Sequence, residues 1–122
     1  VKIYNQDYKK TLKYVDEKTF VYLDPPYLPI GNGQAFAYSK EGFKQDSHIE
    51  LAKQLEILNE KGAKFLLSNS DLKNFGNDGE HFFDKLYKNF NIKRVIARRS
   101  GSAKAEGRGK VKELLVSNIK LE

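Results

Sequence analysis

Apolar and polar positions divide this chain into short blocks. Phe20-Val21-Tyr22-Leu23 is an unbroken apolar run, which predicts a buried strand. Asp24-Pro25-Pro26-Tyr27 then stops it. Neither proline has an N–H to offer a strand ladder, and the residue before each proline is driven to extended conformations. The result is a stiff corner at a strand's carboxyl end, carrying a carboxylate, bare carbonyls and an aromatic ring. Ahead of it, residues 2–5 read as a short strand. Leu12 and Val15, three apart, place a helix over residues 9–15, and Asp16-Glu17-Lys18-Thr19 makes a polar turn.

After the corner, residues 28–45 lack either period and read as a long loop with Gly31, Gly33, Phe36, Tyr38 and Phe43. Loops of this length in a small domain are usually functional. Residues 46–61 form the best helix, with Asp46 or Ser47 as cap and Gly62 as stop. Its inward side is Ile49, Ala52, Leu55 and Leu58, with Leu51 close by. His48 reads as a surface residue of the first turn; it has no neighbouring histidine or cysteine, so no metal site is expected. A strand over 63–69 ends in Ser68-Asn69-Ser70-Asp71, polar groups that shape a pocket or, in the case of Asp71, cap the next helix.

Residues 72–75 make a helical turn, broken by Gly76-Asn77-Asp78-Gly79. A helix over 80–90 carries Phe82, Phe83, Leu86, Tyr87 and Phe90 as a core stripe. Strands over 92–97 and 112–119, joined without helical periodicity, suggest an antiparallel hairpin. Strands alternating with helices make this an α/β chain.

Composition adds three things. At 122 residues there is room for one domain. The net charge of +6 favours a polyanionic partner. Its densest cluster, Arg98, Arg99, Lys104, Arg108 and Lys110, lies among glycines and serines that let backbone N–H groups approach phosphates. There is no cysteine, hence no disulfide or thiolate metal site. No stretch has the apolar length of a membrane span or the pattern of a signal peptide, so a soluble, cytoplasmic protein is expected.

The apolar strand followed by Asp24-Pro25-Pro26-Tyr27 resembles the catalytic motif of Dam-type DNA adenine N6-methyltransferases, which use S-adenosylmethionine. The segment Phe36…Tyr38…Gly42-Phe43, the tetrapeptide at 68–71 and the run Arg99-Ser100…Arg108-Gly109-Lys110-Val111…Glu113-Leu114-Leu115 are similar to the same family. The resemblance implies a Rossmann-like methyltransferase fold: three layers, a mostly parallel sheet and a C-terminal β-hairpin. It implies that Asp24 and the Pro25 carbonyl accept the two hydrogens of an adenine amino group, that Pro26 stiffens the corner, and that Tyr27 stacks on a base flipped out of the duplex. Asp24 also borders the cofactor. Asp7-Tyr8 fits the family's contact with the cofactor's adenine, although Asp7 equally suits capping the helix that follows. Tyr38 and the basic cluster would meet DNA. No metal is implied.

The family's Phe-x-Gly-x-Gly-type cofactor loop is absent from these residues, as is a separate target-recognition domain. The resemblance therefore covers residues 1–122 as the C-terminal portion of a catalytic domain, incomplete on its N-terminal side. The chain alone is expected to be weak or inactive. Its open sheet edge would associate with another chain or with the missing N-terminal part of the same enzyme. Two alternatives stay open: an RNA or protein-glutamine acceptor, or a non-catalytic nucleic-acid-binding remnant.

Overall fold

The computed structural model describes residues 1–26, 45–70, 82–98 and 110–121. In chain order the elements are α1 (Tyr8–Leu12), β1 (Phe20–Leu23), α2 (Gln45–Glu60), β2 (Lys64–Ser70), α3 (Phe82–Leu86), β3 (Asn91–Arg98) and β4 (Lys110–Ser117). The strands form one mixed four-stranded sheet in the order β1-β2-β4-β3. β1 and β2 run parallel, with Val21 opposite Phe65 and Leu23 opposite Leu67. β4 lies antiparallel between β2 and β3. The α/β class and the closing hairpin agree with the sequence reading.

Strand side chains alternate between faces, so register decides which ones meet. Val21, Leu23, Phe65, Leu67, Ile92, Leu114 and Val116 share one face and pack in one core. α2 covers that face with His48, Leu51, Ala52, Leu55 and Leu58. The helix stops at Gly62, whose φ of +82° is the left-handed turn that ends many helices. Gly62 N–H donates to Asn59 O and Ala63 N–H to Leu58 O, which satisfies the last carbonyls. A side chain at 62 would also press on Glu17 Cβ, 3.2 Å away. Phe83 from α3 and Tyr87 from the turn after it enter the core, with Phe82, Leu86 and Phe90 partly buried around them.

Several expectations change. Residues 2–5 form no strand: no described strand pairs with them, and Tyr4 stacks instead on Tyr14, with ring centroids 5.6 Å apart. A strand without a partner leaves its polar backbone groups to water. α3 is a single five-residue helix, and residues 87–90 leave it as a turn. β1 is buried on one face only; Phe20 and Tyr22, on the other, are 56% and 60% exposed. β1 is an edge strand, and its second face has no cover among the described residues. The inward side of α2 is centred on Leu51 rather than Ile49, and it carries His48 with it. The expected turn at 72–75 and the loop at 28–44 lie outside the described residues.

Asn118, just past β4, closes the sheet against α2. Its Nδ2 donates to Ala63 O at 2.7 Å and to Asn59 Oδ1 at 3.1 Å, while its Oδ1 accepts from Phe65 N–H at 2.9 Å. Truncation would strand one buried donor and one acceptor, at a cost of about 1–3 kcal/mol. We expect Asn118→Ala to lower the urea midpoint by that margin, and Asn118→Asp, which keeps only the acceptor, to fall between it and wild type. Equal midpoints for all three would refute the role.

Candidate functional site

The β1–β2 register sets where the corner sits. Leu23, the last residue of β1, is level with Leu67, and β2 continues to Ser70. Asp24 therefore emerges at the carboxyl end of the parallel pair, beside the polar end of β2. In open α/β sheets this end is where ligands bind. Asp24 is exposed, Pro25 is buried and Pro26 is half-buried. The carboxylate thus reaches solvent from a backbone anchored below it. Ser68 and Asn69 are both buried alongside, and Asn69 Oδ1 accepts from Ser70 N–H at 2.8 Å. The Asn69 Nδ2 and the Tyr87 hydroxyl are buried with no hydrogen-bond partner among the described residues.

A row of rings runs from α2 through α3 and the turn after it to α1. His48 is fully buried and meets Phe83 edge-on, 5.4 Å between centroids. Phe83 stacks on Tyr87 at 5.9 Å. Tyr87 lies within electrostatic reach of Tyr8, which in turn feels Glu50 and Asp7. Burial, with Glu50 and Asp7 adding to it, pushes the Tyr8 phenol up to about 12. Burial raises Tyr87 further. Burial drives His48 from its ordinary 6.5 down to about 4, against a smaller opposing pull from the Pro26 backbone. At neutral pH the row is uncharged throughout.

The other predicted residues divide clearly. Asp7 caps α1, its side chain accepting from Lys9 N–H at 2.9 Å, so the capping role is observed. Its carboxylate stays exposed and Tyr8 is half-buried. Arg98 and Lys110 are cross-strand partners at the end of the hairpin where residues 99–109 join its two strands. Because β4 runs antiparallel to β2, that end points the same way as Asp24. Val116 is level with Leu67, so β4 starts six residues beyond the end of β1 and projects roughly 20 Å past it, at ~3.4 Å per residue. Tyr27, Tyr38, Arg99, Lys104 and Arg108 lie outside the described residues. Among the described residues no group of His, Asp and Glu could hold a metal ion, and no helix is long and apolar enough to cross a membrane. A separate cleft of about 160 Å³ between α1 and α2, lined by Lys9, Lys13 and Lys61, does not touch the corner.

Sequence reasoning missed His48. The signal was present: positions 48, 51, 52, 55 and 58 follow helical spacing, but a polar residue in a first turn was assigned to solvent.

The His48 shift has a sign. The unfolded chain takes up a proton on this ring below pH 6.5, whereas the folded chain resists until about pH 4. Its contribution is therefore complete above pH 6.5 and is lost as pH falls towards 4, by roughly 3 kcal/mol at most. We expect urea midpoints between pH 7 and pH 4.5 to fall more steeply for wild type than for His48→Gln. Parallel profiles would contradict this.

The sequence as a whole matches the family model of the D12 class N6 adenine-specific DNA methyltransferases over residues 1–100. It is 42% identical over 120 residues to the type II methyltransferase M.MjaIII of Methanocaldococcus jannaschii, covering 97% of this chain and 39% of that protein. It is 36% identical over 119 residues to the type II methyltransferase M1.LlaDCHI of Lactococcus lactis subsp. cremoris, with the same 97% and 39% coverage. With the DNA adenine methylase of Haemophilus influenzae it shares 34% over 113 residues, 89% of this chain and 36% of that one. The chain thus spans about two fifths of the length of these relatives, and it belongs to the D12 class of N6 adenine-specific DNA methyltransferases.

Proposed function

We propose that this chain is the C-terminal portion of the catalytic domain of a site-specific DNA adenine methyltransferase, and that the Asp24-Pro25-Pro26-Tyr27 corner receives the target base. The observation that carries the reading is an exposed carboxylate fixed at the carboxyl end of a parallel strand pair by a buried proline. An adenine amino group is a poor nucleophile because its lone pair is delocalised into the ring. Asp24 and the Pro25 carbonyl would accept its two hydrogens and draw the nitrogen towards tetrahedral geometry, so that its lone pair faces outward. Tyr27 would hold the flipped base by stacking. The protein's contribution is alignment and electrostatics.

The residues present fit one end of S-adenosylmethionine. The exposed Asp7 carboxylate can accept from an adenine amino group, and the Tyr8 ring, neutral and half-buried, offers an apolar surface. When bound, that molecule would supply an electrophilic methyl group on sulfur. The chain holds no glycine loop for the methionine end. A Rossmann-like arrangement would supply it through further strands added at the edge of β1, with a second layer covering Phe20 and Tyr22. Supply from another chain is the second route to the same completion.

DNA is the acceptor this reading favours. The hairpin end at which Arg98 pairs with Lys110 lies at the same end of the sheet as the corner, and the sequence that joins them carries Arg99, Lys104 and Arg108. A two-stranded ribbon fits the major groove of B-DNA, about 12 Å wide. Tyr38 would add a stacking surface for a base.

Tritium transfer from S-adenosylmethionine to adenine-containing duplex, measured in the full-length enzyme that carries this chain, tests the reading. Asp24→Ala is expected to lower transfer by about 10²-fold or more with an unchanged thermal midpoint, since Asp24 is exposed; near-normal turnover would rule out its role. Tyr27→Ala should be worse than Tyr27→Phe, and the reverse order would rule out stacking. Arg99→Ala or Arg108→Ala should each flatten the salt dependence of DNA binding by about one ion. Steeply salt-dependent DNA binding without cofactor affinity would favour the non-catalytic remnant instead.

A further inference from the structure

We propose that Asn69 is a positioning residue for the proline corner: its Oδ1 captures the Ser70 N–H and so keeps the Pro25 carbonyl free to accept from a substrate. In a parallel ladder the bonds are evenly spaced, and alternate residues of a strand turn both N–H and C=O to the same neighbour. The first rung here is Lys64 N–H to Thr19 O, at 3.1 Å. Phe20 is level with Lys64 and Leu23 with Leu67, so the following rungs from β2 fall on the carbonyls of Val21 and Leu23. The next N–H on that side belongs to Ser70, and the carbonyl due to receive it is that of Pro25. Phe65 N–H, which faces the other way, bonds Asn118 Oδ1. The Ser70 rung is not made. No backbone bond joins Ser70 to Pro25 among the described residues. Ser70 N–H donates instead to Asn69 Oδ1, at 2.8 Å. Pro25 has no N–H to give in return, so the ladder stops on both strands at this level.

Packing does not call for an amide here. Asn69 is fully buried, on the same face as Phe65 and Leu67 and opposite Leu114. A leucine would match its shape and its company. Asparagine is depleted in strands, and this one leaves Nδ2 buried with no partner among the described residues, which costs stability. What the amide adds is an acceptor for its neighbour's N–H. With leucine at 69, the Ser70 N–H would be left without one, and such a group pairs wherever it can. Its ladder partner, the Pro25 carbonyl, then takes it.

The consequence for catalysis rests on the proposed role of the Pro25 carbonyl; the exchange of hydrogen bonds does not. Crystal structures and methyl-transfer kinetics of the full-length enzyme that carries this chain separate the two. In Asn69→Leu, Ser70 N is expected about 3 Å from Pro25 O. A carbonyl already holding an N–H is a weaker acceptor, so kcat should fall about tenfold, the worth of one hydrogen bond, with KM for DNA nearly unchanged. Adding Ser70→Pro removes the N–H and should restore most of the loss, which a merely structural role for Asn69 would not allow. A Pro25 carbonyl still free in folded Asn69→Leu overturns the proposal, as does a folded double variant no faster than Asn69→Leu. Should Asn69→Leu not fold, the wild-type crystal structure decides: Ser70 N–H on Asn69 Oδ1 supports the capture, and any other partner for it overturns it. A new bond to Pro25 with unchanged kcat supports the capture and overturns the carbonyl's assigned role alone.

Discussion

The parallel pairing of β1 with β2 is the constraint on which the remaining geometry depends. Thr19 O accepts from Lys64 N–H at the start of this ladder, and Leu23 opposite Leu67 ends it. That register fixes the level at which Asp24 leaves the sheet. It also fixes the face to which Val21 and Leu23 turn, and hence the face that α2 must cover. A slip by one residue would turn Phe20 and Tyr22 into the core and send Val21 and Leu23 out. The corner's own stiffness would be worthless if the strand beneath it could slide.

The core then supports chemistry at one end of the sheet only. At the amino ends of β1 and β2, the structure is held by turn and cap hydrogen bonds: Asp16 Oδ1 accepts from Lys18 N–H and the Thr19 hydroxyl, and Asn118 ties residues 59, 63 and 65 together. At the carboxyl ends, polar groups of β2 are buried beside the corner: Ser68 and Asn69. Asn69 Nδ2 has no hydrogen-bond partner among the described residues, and a buried donor left without one costs stability. Such a cost beside the corner, at the opposite end from the well-bonded turns, is the pattern expected where function rather than folding selects a residue.

What could be read from the sequence was what depends on neighbours along the chain. Two prolines after four apolar residues determine a strand and its stop by covalent geometry, and Gly62 ends α2 through its own φ. The hairpin was visible because its connection carries no helical period. The insertion of β4 between β2 and β3 was not, since all three strands offer similar alternating faces and pairing order is set by long-range packing. Residues 2–5 failed for the converse reason: a strand-like composition is only a capacity, and needs an edge to pair with. His48 shows the limit for the site. Helical spacing placed it among leucines, while its chemistry argued for water, and the ring of Phe83 packed edge-on against it shows that spacing prevailed. Asp24, Pro25 and Pro26 were legible as a unit because their constraint is local.

Asn118 also makes two distant parts of the chain depend on each other. Its amide reaches back to Phe65, 53 residues earlier in the chain, and to Asn59 and Ala63 on either side of the Gly62 turn. All three bonds form only when β4 and that turn are both in place, so loosening either one loosens the other.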